Sequence, residues 1–144
     1  MRRSFTLVEV LLVVGIVSLL STVVMVSLRP ASRFAQANNI KRQSDLTLII
    51  NAVFRYASDN RSVFPPGVTA IPQFISSSGA DICADLVPKY LPSLPTDPTA
   101  FSGADVLCTP PYDTGYLISL TSDGGHVTVS APSAQEGEVI TFTR

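Results

Sequence analysis

Tryptophan is absent, histidine occurs once and cysteine twice in these 144 residues, and charged residues make up only 15% of them. Each scarcity closes off a class of function. With His126 as the lone imidazole and no short C-x-x-C or H-x-x-x-H spacing, a transition-metal site would find at most three soft ligands, Cys83, Cys108 and His126. His126 follows Gly124-Gly125 and reads as an exposed histidine at a strand edge. No nucleophile elbow or phosphate-binding glycine loop occurs, nothing sets a Ser-His-Asp spacing, and no carboxylates stand paired for acid–base work. The chain is therefore not expected to be an enzyme, and no catalytic residue is assigned. From Arg29 onward eight Lys or Arg face ten Asp or Glu, with no basic patch carrying interleaved aromatics. Nucleic-acid binding has no electrostatic support from such a surface.

What charge there is avoids the N-terminus. Val10 to Leu28 is a run of 19 uncharged positions, and counting from Phe5 gives 24 residues interrupted only by Glu9. At 1.5 Å per residue such a helix reaches roughly 36 Å, against a hydrocarbon core of about 30 Å. It is too long for the apolar part of a cleaved secretory signal, and no A-x-A-like site follows it. As a plain membrane anchor it has one misfit, because a carboxylate in hydrocarbon costs on the order of 3 kcal/mol on insertion scales.

The stretch Ser4-Phe5-Thr6-Leu7-Val8-Glu9, behind Arg2-Arg3 and ahead of the apolar run, resembles the processing site of type IV prepilins and pseudopilins. The family commonly has Gly where this chain has Ser4. The resemblance implies a leader, residues 1–4, removed by a prepilin peptidase after Ser4, and N-methylation of the new terminus, Phe5. It makes Glu9 the fifth mature residue, which in the family pairs with the terminal amine of a neighbouring subunit during assembly. The partners implied are identical subunits in a helical filament, a membrane assembly platform and, before assembly, cytoplasmic membrane lipid. Lys and Arg flank the span on both sides, so charge does not set its orientation; the resemblance and the cysteines put the N-terminus inside, with an extracellular or periplasmic filament after assembly. The function expected is a structural subunit of a type IV pilus-like filament. The alternatives are a pseudopilin of a type II secretion or competence machine and, from another class, a non-polymerising membrane-anchored binding module.

The fold expected is α+β: a long N-terminal helix, with a transmembrane half and an amphipathic half, packed on a small C-terminal antiparallel sheet. Residues 5–28 form the transmembrane or filament-core segment and 29–59 an amphipathic continuation. Pro30 is expected to kink or break the helix. Leu46, Ile49, Ile50, Val53 and Ala57 repeat at three and four, with Arg42, Asp45, Asn51 and Arg55 largely between them. Nine of the eleven prolines fall between Pro65 and Pro111, so residues 60–115 read as an irregular connector with one short helix near 80–87. Pro95-Thr96-Asp97-Pro98 resembles the turn before the C-terminal sheet of pseudopilins. Residues 116–144 alternate and read as a three-stranded meander: 116–121, a turn at Ser122-Asp123-Gly124-Gly125, then 127–131 and 139–143. Cys83 and Cys108, in a loop-rich external region, suggest one disulfide, with two free thiols as the alternative. No cofactor is assigned. Some pseudopilins of secretion systems hold calcium in this region, which makes Asp97, Asp105, Asp113 and Asp123 calcium candidates, against the reading that each caps its own turn.

Overall fold

The computed structural model describes residues 5–27, 30–100 and 106–144. Ser4 and Asp105, named above for processing and calcium, lie outside the described residues, as do positions 28 and 29. The chain divides into an N-terminal unit, Met1–Phe34, and a larger one, Ala35–Arg144.

Helix α1 spans Leu7–Ser27. Thr6 caps it: the Glu9 N–H donates to Thr6 Oγ1 at 3.2 Å, satisfying one of the orphan donors of the first turn. The helix is apolar on every side, so no stripe distinguishes one face from another. Helix α2 spans Pro30–Asp59. The kink or break expected beside Pro30 involves positions 28–29, which lie outside the described residues.

From Ala35 the helix acquires a buried face. Asn39, Arg42, Leu46, Ile49, Val53 and Ala57 follow one another at three- and four-residue steps, and all are buried. Helix α2 ends in a Schellman turn: the Ser62 N–H donates to the Ala57 carbonyl at 2.8 Å, with Arg61 left-handed at φ 58°.

The sheet corrects the three-strand expectation. It has four antiparallel strands in the order β1-β2-β3-β4: β1 Gln73–Ser76, β2 Asp113–Leu120, β3 Val127–Ala131 and β4 Ile140–Thr143. The region 60–115 is thus not all connector. It holds β1 and the start of β2, and β1 is a strand because its backbone pairs with β2 at Phe74↔Leu117 and Gln73↔Ile118. The short helix α3 is one turn, Cys83–Leu86, narrower than expected. Val87, ahead of Pro88, is extended at ψ 135°, as a residue before proline prefers.

Alternation along β2 and β3 buries Thr114, Tyr116 and Ile118, then Val127, Val129 and Ala131. These meet Leu46, Ile49 and Val53 of α2, with Ile75, Ile82, Leu86 and Leu94 closing the core. The architecture is α+β, an antiparallel sheet with α2 on one face. Cys83 and Cys108 form a disulfide with Cα atoms 5.4 Å apart, inside the usual range.

Candidate functional site

Two constellations carry chemistry: the surface of α1, and a buried polar node where α2 meets the loop before β2.

On α1 every described side chain is solvent-exposed, with Phe5 at 78%, Leu11 at 68% and Val23 at 62%. At 1.5 Å per residue the helix measures roughly 32 Å, long and apolar enough to cross a bilayer. Three of its hydroxyls bond back into the helix. Ser18, Ser21 and Thr22 donate to the carbonyls of Val14, Val17 and Ser18 at 2.8, 2.8 and 3.0 Å. A hydroxyl bonded into its own helix asks nothing of an apolar medium. Glu9 differs. It sits in the first turn, where the helix dipole favours an anion, and its carboxylate has no ion-pair partner among the described residues. Phe5 and Glu9, the two assembly residues named from sequence, therefore lie at the same end of α1, both exposed.

The second constellation was missed by sequence reasoning. Arg42, read as falling largely between the apolar positions of α2, is fully buried and forks onto Asp97, itself fully buried. Arg42 Nε donates to Asp97 Oδ2 at 2.7 Å and Nη2 to Oδ1 at 2.9 Å. The remaining guanidinium donors reach Asn39 Oδ1 and Thr99 Oγ1, both at 2.8 Å. Oδ1 of Asp97 also accepts the Thr99 N–H and hydroxyl. Burial alone pushes the Asp97 carboxyl up, but Arg42 and Thr99 together outweigh it and hold it below the ordinary carboxylate range. One turn further along α2, Asp45 takes Lys41 at 3.0 Å and the buried Tyr116 hydroxyl at 2.8 Å. Burial, and then Asp45, push that phenol well up, so it remains a donor. The signal was present in the spacing: Asn39, Arg42, Asp45, Leu46 and Ile49 share one helix face once polar residues are counted along with apolar ones.

The calcium candidates separate. Asp97 is consumed by Arg42. Asp113 Oδ1 accepts the Gly115 N–H at 2.8 Å. Asp123 accepts from the Thr121 hydroxyl and the Gly125 N–H and contacts His126 Nδ1 at 3.1 Å, which lowers its carboxyl to about 2. Each described candidate therefore engages its own loop or its buried cation. Among the described residues no three His, Cys, Asp or Glu side chains come together as metal ligands do. A cleft of about 570 Å³ beside the disulfide is lined by Ser77, Val106, Leu107, Tyr112 and Asp113 among the described residues.

No protein-family model, curated protein or solved structure matches the chain.

Proposed function

We propose that the chain is a structural subunit of a type IV pilus-like filament, held in the cytoplasmic membrane by α1, cut after Ser4 and assembled through Phe5 and Glu9. The observation that carries this reading is the exposed, apolar α1 with one carboxylate in its first turn. The unit Ala35–Arg144 buries a core of its own, so α1 is not needed to complete that core. Its large apolar side chains each favour transfer out of water by about 1.5–3 kcal/mol. They call for lipid first and neighbouring helices second. Association of helices in an apolar medium is driven by packing and by interhelical polar contacts. Glu9 supplies a polar contact that a correctly staggered neighbour neutralises with its terminal amine.

Mass spectrometry of the mature chain tests the reading. The expected N-terminus is methylated Phe5; an intact Met1 in the assembled protein would favour the plain anchored module instead. Removal of the carboxylate tests assembly separately from insertion. Glu9→Ala is expected to leave the subunit in the membrane fraction while sheared filament yield falls by about tenfold or more, since a lost pair in an apolar setting is worth several kcal/mol. Wild-type yield from that variant would sink the assembly role of Glu9.

A further inference from the structure

One edge of the sheet is closed and the other open. At the β1 edge, Phe74 O accepts the Ala80 N–H at 2.9 Å, Gly79 N–H donates to Ser76 O, and a bulge interrupts the strand between Phe74 and Ser76. These are the devices that blunt an edge. At the β4 edge none of them is found among the described residues. Val127 and Arg144 exchange both backbone bonds, at 2.8 and 3.0 Å. With the register Thr128↔Thr143, Val129↔Phe142, Ser130↔Thr141, this turns the N–H and C=O of Thr141 and Thr143 away from β3. Ile140-Thr141-Phe142-Thr143 is uncharged, free of proline and rich in β-formers. Val139, leading into it, is 89% exposed.

We propose that β4 pairs antiparallel with β4 of a second copy, centred on Thr141, joining two four-stranded sheets into one of eight. Charge complementarity at the ends of the strand selects this occupant. In a pairing centred on Thr141, Val139 lies opposite Thr143 of the second copy and Ile140 opposite its Phe142. Glu138 then lies opposite Arg144, once at each end. Sliding one copy by a residue pair in either direction takes Glu138 away from that arginine. Both charged groups are exposed and lie on the α2 side of the sheet, Glu138 bonded to Asn39 Nδ2 at 3.0 Å and Arg144 to Asn51 Oδ1 at 2.8 Å. Each keeps further acceptors or donors for a partner. The two-fold axis is normal to the sheet, so the two α2 helices run antiparallel. The contact therefore joins subunits that are not neighbours in one polar filament, and it stands independently of the filament reading.

The test is self-association of the full chain in detergent micelles, followed by sedimentation equilibrium. The wild type is expected to dimerise. Glu138→Arg and Arg144→Glu are each expected to weaken the dimer by about tenfold or more, because each turns two cross-strand attractions into repulsions. The double reversal is expected to recover the wild-type constant to within about threefold. Thr141→Pro, which deletes an outward donor and leaves the β3–β4 ladder its bonds, is expected to give monomers. A melting curve for each variant separates loss of pairing from loss of fold. A monomeric wild type would overturn the proposal. So would a dimer indifferent to the reversals, which would place the contact on α1, or a double reversal no better than the singles. A foreign strand found on β4 of a monomeric chain would overturn the second copy as the occupant.

Discussion

Deleting the Asp97 carboxylate is the sharpest test of how the larger unit holds together. The carboxylate takes both Nε and Nη2 of Arg42 and the Thr99 N–H and hydroxyl, and both ion partners are inaccessible to solvent. Asp97→Ala leaves Arg42 buried with only Asn39 and Thr99 as partners. Breaking a buried pair from one side costs about 3–5 kcal/mol, because the surviving charge cannot reach water. For a unit of this size, about 2.1 cal/mol/K per residue of unfolding entropy makes each kcal/mol worth roughly 4 °C. A fall in Tm of about 13–20 °C is expected, measured by circular dichroism on the full chain in detergent.

The double variant Arg42→Met, Asp97→Leu should melt closer to the wild type than either single change, since it removes the orphaned charge along with the pair. The pH dependence has a fixed sign. Asp97 has a lowered folded-state pKa, so its contribution is present above the unfolded value of about 3.9 and is lost as pH falls through the folded one. Asp97→Asn should flatten part of the acid limb of the stability curve. An Asp97→Ala chain that melts within about 3 °C of the wild type would refute the reasoning, since it would mean that the guanidinium finds solvent.

Three further outcomes are expected. Reduction of Cys83–Cys108, or Cys83→Ser, should lower stability by roughly 3–4 kcal/mol, the chain-entropy value for a loop of this length, read from denaturant midpoints with and without reductant. Arg61→Gly should raise Tm, since Arg61 closes α2 at φ 58° and a glycine there removes about 1 kcal/mol of left-handed strain; an unchanged or lowered Tm would count against the cap. Gly115→Ala should destabilise by about 1–3 kcal/mol in the same melts, because residue 115 sits at φ 75° and its new Cβ would meet Asp97 Cβ at 3.1 Å and Ala100 Cβ at 3.3 Å.

What could be read in the sequence was periodicity. Leu46, Ile49, Ile50, Val53 and Ala57 announced the buried face of α2, and Val127 to Ala131 announced β3 to the residue. Arg42 was misplaced because charge is ordinarily read as exposure, and that rule fails when a partner 55 residues away supplies the counter-charge. Strand β1 was invisible for a related reason. Gln73-Phe74-Ile75-Ser76 is four residues between turn formers, and what makes it a strand is its pairing with β2. The start of β2 was read late because Asp113-Thr114-Gly115 resembles a turn. Thr114 is instead a buried strand residue, its hydroxyl donating to Ile75 O at 3.0 Å, and Gly115 gives the room through which Asp97 approaches. The same approach explains Asp97. The resemblance to pseudopilins made Asp97 a calcium candidate, yet its carboxylate is the counter-charge that lets α2 bury an arginine.

The two units settle their apolar surface in opposite ways. Ala35–Arg144 encloses its own, fastened by a disulfide and by a fully hydrogen-bonded ion pair. Helix α1 encloses none, and the hydroxyls of Ser18, Ser21 and Thr22 turn inward to its own carbonyls. A helix that merely anchors a domain needs nothing more than this, and selection for anchoring alone has no use for a carboxylate one turn into the span. A helix that must leave lipid for the company of identical helices has a different need: apolar packing is nearly indifferent to stagger, so something polar has to fix it. Glu9 stands in the first turn of α1, where the helix dipole favours its charge; under the proposed reading it would be neutralised when a neighbour arrives in register. On that proposal the residue's use lies in having no ion-pair partner among the described residues of its own subunit.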